Sequence, residues 1–144
     1  MNIEQCIEQG LLVKTKPDSK KALSSLEMAE HKLELAEKEF GHSLFESAVV
    51  SAYTSMFHTA RSLLFLSGFK ERSHFAVYVF VSEKYSNRIE RRFINELNSL
   101  RLYRHELMYG FEKSAEAKES DAESAIQAAE GFLKTAGKIV KEDT

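Results

Sequence analysis

A chain of 144 residues with one proline, Pro17, and six thinly spread glycines offers few places where a helix must stop. Proline and glycine are the residues that break helices, and between them the apolar side chains recur at threes and fours. The sequence therefore predicts long amphipathic helices. The most informative is residues 89–111, where Ile89, Phe93, Leu97, Leu100, Leu107, Met108 and Phe111 fall on one side. Arg104 lies inside that stripe, one turn from Leu100 and from Leu107 and Met108. A guanidinium among leucines must reach water along its own stem, pair with a carboxylate of a neighbouring helix, or hold a bound anion. Gly110 then ends the helix or lets it bend.

Taken in order, residues 3–13 predict a short first helix with Ile3, Ile7 and Leu11 on one side and Cys6 as small packing material. A turn at 15–17 follows, and Asp18 is the expected N-cap of a second helix through residue 40. Its Leu26, Ala29, Leu33, Ala36 and Phe40 form a seam suited to bundle packing, with His31 on the opposite, solvent face. Residues 43–67 form the most apolar helix, closed by Gly68. Residues 73–85 have the composition of a strand, but no second strand-like run exists for them to pair with, so they predict a buried helix capped by Ser73. A turn at 86–87 leads into the organising helix, and 112–118 is a polar loop. The last helix, 120–140, carries a small-residue seam of Ala122, Ala125, Ala129, Phe132, Ala136 and Ile139, and 141–144 is expected to fray. The fold class is all-α, an up-and-down bundle of five to six helices in a single domain, residues 1–144, with its core at about 18–140.

Composition narrows the function. A net charge of −2 argues against a strongly basic nucleic-acid binder, although Arg88, Arg91, Arg92, Arg101 and Arg104 gather on one element. No apolar run is long enough to span a membrane. One cysteine and a polar, acidic N-terminus predict a cytoplasmic protein. There is no Gly-rich phosphate loop, no His-Glu-x-x-His, no nucleophile elbow and no metal-ligand spacing, so no metal or cofactor is expected. One cluster remains. Arg101, Arg104, His105 and Tyr109 line an edge of the organising helix, and two arginines, an imidazole and a phenol can bind a phosphate and move a proton. Two further candidates for ligand binding are Arg61, one turn from Phe57, and His74 at the start of the fourth helix.

Two stretches carry a resemblance. Residues 51–64, S-A-Y-T-S-M-F-H-T-A-R-S-L-L, followed by Gly68 and Ser73-His74, resemble a prokaryotic branch of the HEPN superfamily with the pattern A-Y-Y-A-M-F-H-A-A-R-A-L-L … G … T-H. Residues 100–110 resemble that branch's L-R-x-x-A-D-Y-G ending, with Arg104 on its arginine and Tyr109-Gly110 on its Tyr-Gly. The similarity spans residues 22–140.

The resemblance implies a helical bundle that forms a homodimer, with Arg104 near the interface. It also implies a role in a toxin–antitoxin pair beside a small nucleotidyltransferase. Active members of the superfamily are metal-independent ribonucleases with an arginine, a polar neighbour and a histidine four to six residues on. Here Arg104 and His105 fill the first two positions and Tyr109 stands in the third, where a phenol with an ordinary pKa near ~10 is a poor base at neutral pH. The leading expectation is accordingly a module that binds a nucleotide, RNA or a partner protein through Arg101, Arg104, His105 and Tyr109. The alternative is a metal-independent endoribonuclease leaving 2′,3′-cyclic phosphate ends, with Arg104, His105 and Tyr109 as catalytic residues. A structural interaction protein, with Arg104 paired internally, is the third.

Overall fold

The computed structural model describes residues 1–110 and 116–144. In chain order the elements are α1 (Ile3–Glu8), β1 (Leu12–Lys14), α2 (Ser19–Gly41), α3 (Phe45–Ser67), β2 (Phe69–Glu71), α4 (His74–Lys84), α5 (Arg91–Tyr109) and α6 (Glu119–Asp143). The all-α bundle expected from the sequence is what forms, built around α3. This helix packs against α2, α4, α5 and α6, and twelve of its residues are buried, from Ala48 to Leu64. A helix apolar on most of its circumference has no other stable place than the centre of a bundle.

The long helices start and stop where local chemistry dictates. Asp18 accepts from the Lys21 backbone N–H to cap α2, and Ser73 accepts from the Ala76 N–H to cap α4. α2 and α3 join through the tight turn after Gly41 and lie side by side. Ser55 Oγ donates to the Ala29 carbonyl at 2.8 Å across that interface, and Ser51 Oγ donates to Glu39. The small-residue seam of α6 is buried as expected, from Ala122 to Ile139. At Gly131 the Phe93 ring of α5 lies where a side chain would start, so helix and ring meet at backbone distance.

Several boundaries differ from the sequence expectation. The first helix ends at Glu8 instead of running to residue 13, because Gly10 turns into the left-handed region at φ 73° and the Leu11 N–H closes back on the Cys6 carbonyl. Residues 12–14 then pair antiparallel with 69–71, Leu12 opposite Glu71 and Lys14 opposite Phe69. These three-residue strands are too short to leave an alternating pattern in the sequence. Even so, Ile3, Cys6 and Leu12 join the main core. α5 begins at Arg91, and its apolar stripe gives out at Leu100: Leu107 is half-buried and Met108 is exposed, because the last turns of α5 run past the edge of the core. Phe111 and the first part of the 112–118 loop lie outside the described residues. The expected frayed tail is helical to Asp143, where Arg88 reaches across to form an ion pair.

Gly68 is the joint between α3 and β2. It caps α3 at φ 84°, its carbonyl accepts from the Thr15 N–H at 2.8 Å, and a Cβ there would meet the Thr15 carbonyl oxygen at 2.9 Å and Pro17 at 3.1 Å. Gly68→Ala is expected to cost about 1–3 kcal/mol in urea unfolding, from the disfavoured φ and the crowded Cβ together. Gly41→Ala, at the open end of α2 with nothing within 4 Å, is expected to be neutral or stabilising by up to ~1 kcal/mol.

Candidate functional site

Four side chains of α3 follow one another at successive helical turns along one edge: Tyr53, which is buried, and Phe57, Arg61 and Phe65, which are half-buried. α4 brings His74 to this edge, and α5 brings Arg101 and Arg104. The Tyr53 hydroxyl lies 2.7 Å from His74 Nδ1. The His74 ring stacks on Phe57 with centroids 4.1 Å apart and planes 16° apart. The Arg104 guanidinium carbon sits 5.8 Å from the centre of the Tyr53 ring, and that of Arg101 sits 5.3 Å from the Phe75 ring. Asn98 orients Arg101 by accepting from its Nε and Nη2 at 3.1 and 2.9 Å. Arg104 is thus half-buried on an aromatic face, and none of the ion pairs among the described residues involves it.

The Tyr53–His74 bond has a direction. Tyr53 is buried, and burial pushes its phenol up to about 12 against the pull of Arg104 and Arg101, so the hydroxyl keeps its proton. Desolvation lowers the His74 imidazole, and the positive charges of Arg104, Arg101 and Arg61 lower it further, so the ring is neutral. Among the described residues the phenol has no hydrogen-bond partner but His74. If Nδ1 carried the proton, the buried phenolic hydrogen would lack an acceptor, at a cost of about 1–3 kcal/mol. Tyr53 therefore donates to Nδ1, and the proton of the neutral ring is on Nε2. The imidazole is a fixed, uncharged donor on an exposed residue.

The sequence candidates separate into two groups. Arg101, Arg104 and His74 share the electrostatic neighbourhood just described, with Arg61 at its far end. Arg61 is already engaged: its Nε pairs with Glu71 at 2.5 Å, and its guanidinium lies 5.6 Å from the Phe57 ring and 5.2 Å from the Phe65 ring. His105 and Tyr109 contact each other, ring centroids 4.9 Å apart, on the exposed final turns of α5. The sequence places Tyr53 in the apolar third helix and in the stretch that resembles HEPN, and Phe75 in a buried helix, with no site role for either. The signal for Tyr53 was present, since a phenol in an aliphatic stripe needs a hydrogen-bond partner. Among the described residues no three His, Cys, Asp or Glu side chains converge at metal-binding spacing, and no helix is long and apolar enough to cross a membrane.

Residues 22–140 match the family model described as HEPN domain. The chain belongs to the HEPN family. It is also 33% identical over 123 residues to the Methanocaldococcus jannaschii protein described as "Putative toxin MJ0605", an alignment covering 81% of this chain and 87% of that relative. The match includes α3, α4 and α5, so the aromatic and cationic edge lies within the HEPN domain and not on an appendage.

A second histidine belongs to the same edge. His58 is half-buried, and burial followed by the charges of Arg61, Lys32 and His74 lowers it from 6.5 to about 4. The unfolded chain takes up this proton near pH 6.5 and the folded HEPN domain only near 4. Stability present at neutral pH is therefore lost as the pH falls through that window. His58→Gln is expected to reduce the loss between pH 7 and 4 by about 1–2 kcal/mol, measured as the difference in urea midpoints at the two pH values.

Proposed function

We propose that this HEPN chain is the toxin-side component of a toxin–antitoxin pair and works by binding the phosphates of a nucleotide or RNA through Arg101 and Arg104. The observation that carries this reading is the pair of guanidiniums held over aromatic rings beside the fixed His74 donor. Guanidinium groups match phosphate oxygens in geometry and charge, and stacking on Tyr53 and Phe75 restricts their motion before a ligand arrives. A nitrogen that acts as a base must be unprotonated and within reach. At His74, Nδ1 is taken up by Tyr53 and Nε2 holds the proton, which suits a ligand rather than a base. The toxin description of the archaeal relative supports the biological assignment.

The alternative reading is a metal-independent endoribonuclease, and it rests on His105, an exposed imidazole immediately after Arg104 and in contact with Tyr109. In this proposal the protein acts as a homodimer and meets a small nucleotidyltransferase as its partner. Leu102, Met108 and Tyr109, all about half exposed on the last turns of α5, supply apolar surface for the dimer contact. The whole chain, residues 1–144, forms one cytoplasmic domain, in keeping with the place of Ile3, Cys6 and Leu12 in the main core.

Titration of wild type and Arg104→Ala with a fluorescent oligouridylate, in EDTA, tests both readings. Wild type is expected to bind without cutting, and Arg104→Ala to bind at least ~10-fold more weakly, the order of one lost charge-assisted contact. Cleavage by wild type that Arg104→Ala and His105→Ala abolish would replace the binding module by the ribonuclease. Absence of any binding by wild type would overturn the phosphate reading and leave a protein partner as the ligand. Independently, the ¹⁵N spectrum of His74 is expected to show a neutral ring protonated at Nε2 at pH 7, and Tyr53→Phe to release it into a mixture of tautomers.

A further inference from the structure

α6 carries two glycines in its interior, and the chain itself fills the space beside only one of them. Gly131 gives room to the Phe93 ring, whereas a Cβ on Gly137 would meet nothing within 4 Å. A glycine inside a helix costs backbone entropy that an alanine would not. Gly137 lies in a cleft of about 470 Å³ between α2 and α6, with Leu26 and Leu133 beside it. Every residue lining the cleft belongs to one of these two helices, so it is separate from the edge formed by α3, α4 and α5.

The two banks of the cleft carry opposite charge. On α2, Glu27, Glu30, Glu34 and Glu37 recur at threes and fours and form one exposed row. On α6, Lys134, Lys138 and Lys141 form another. The helices run antiparallel, since Leu26 and Glu30 face the stretch 133–142 while Glu37 stands beside Glu130. The rows thus lie side by side, yet none of the ion pairs among the described residues joins them. The acidic row is also under its own repulsion: burial, then Glu130 and Glu34, push the Glu37 carboxyl up.

We propose that the α2–α6 cleft is a contact between two copies of this chain, packed face to face about a two-fold axis that runs along it. A row of carboxylates beside a row of ammoniums favours neither an acidic nor a basic partner. What matches it is a surface with the two rows exchanged, and a half-turn of this same face about an axis parallel to the helices is such a surface. The rotation lays α2 of one copy over α6 of the other at the same height, so Glu30 of each meets Lys134 and Lys138 of the other. Each contact therefore occurs twice, as in any isologous interface. The four helices form a bundle with Leu26 and Leu133 of both copies towards its centre, and the space at Gly137 lets the backbones draw together. The face is large enough. The 23 residues of α2 span about 34 Å, and two helices each ~10 Å wide present roughly 700 Å², against ~800 Å² per partner in a standard interface. This contact is distinct from the one proposed on α5 and does not rest on the phosphate reading.

Charge reversal tests the proposal. The mass in solution would be measured by light scattering, from micromolar to near-millimolar protein, for wild type and for variants of the two rows. Lys134→Glu/Lys138→Glu and Glu30→Lys/Glu34→Lys alter exposed side chains only. Each sets like charges against one another, and each is expected to show about half the wild-type mass at high concentration. The quadruple variant with both exchanges restores opposite rows and is expected to regain the wild-type mass. Gly137→Leu fills the gap with a better helix former. It is expected to associate at least ~10-fold more weakly, yet to melt no lower than wild type at a concentration where both are dissociated. Any contact through α5 is common to all these proteins and cancels in the comparison.

A wild type with the same mass as the double variants at every concentration would overturn the self-contact and leave the cleft to a different occupant. A quadruple variant that stays at the mass of the double variants would overturn it too, because a loss that exchanging both rows does not repair is not a loss of their pairing. Gly137→Leu that associates as tightly as wild type would overturn the close approach of the backbones at the gap.

Discussion

Everything in this bundle depends on the burial of α3. Ala48, Val49, Ala52, Met56, Ala60, Leu63 and Leu64 are shut away from water, and the helix touches every other long helix in the fold. Surrounding one helix on all sides usually leaves it nothing to present. Here the small residues Ala52 and Ala60 allow close approach by neighbours, while the larger Phe57, Arg61 and Phe65 stand only half-buried along the remaining edge. The same element therefore sets the core and the candidate surface, and the surface is as rigid as the core that carries it.

That rigidity has an electrostatic consequence. Stacking Arg104 on Tyr53 and Arg61 between Phe57 and Phe65 holds cations close together; Glu71 pairs with Arg61, while none of the ion pairs among the described residues involves Arg104. Like charges held in this way repel, and the fold must offset that repulsion from the packing energy of α3 and α4. The two imidazoles respond by staying neutral, His58 down to about pH 4. Burial and mutual repulsion act on them in the same direction.

The helices were legible in the sequence because they are long and periodic. Asp18, Ser73 and Gly68 act as the caps that their residue types announce, and residues 73–85 were correctly assigned to a helix by the absence of a strand long enough to pair with them. The β1–β2 pair was not legible, since three residues carry no period and the pairing is decided by the turn at Gly10 and the joint at Gly68. The site was half legible. Arg101, Arg104, Arg61 and His74 could be singled out as charged groups on or beside apolar helices. The part played by Tyr53 could not be assigned, because its pairing with His74 joins residues 21 positions apart and depends on how α4 lies across α3. Helical spacing places His105 and Tyr109 beside Arg101, but it does not show that Arg104 turns inward to Tyr53 while the other two pair with each other.

The direction of one hydrogen bond separates two kinds of chemistry at this edge. A neutral imidazole beside arginines is often read as a base in waiting, since its lowered pKa keeps a lone pair free. Here the lone pair is on Nδ1 and is occupied by a phenol that has no other acceptor for its proton among the described residues. To serve as a base, His74 would have to give up that bond and leave the phenolic proton of Tyr53 buried and unpaired. To serve as a ligand it need change nothing, because Nε2–H already matches a phosphate oxygen and adds no charge to a crowded cationic site. The hydrogen bond between Tyr53 and His74 thus sets which nitrogen of His74 faces outward. His105 and Tyr109, in contact with each other on the exposed last turns of α5, lie outside this arrangement.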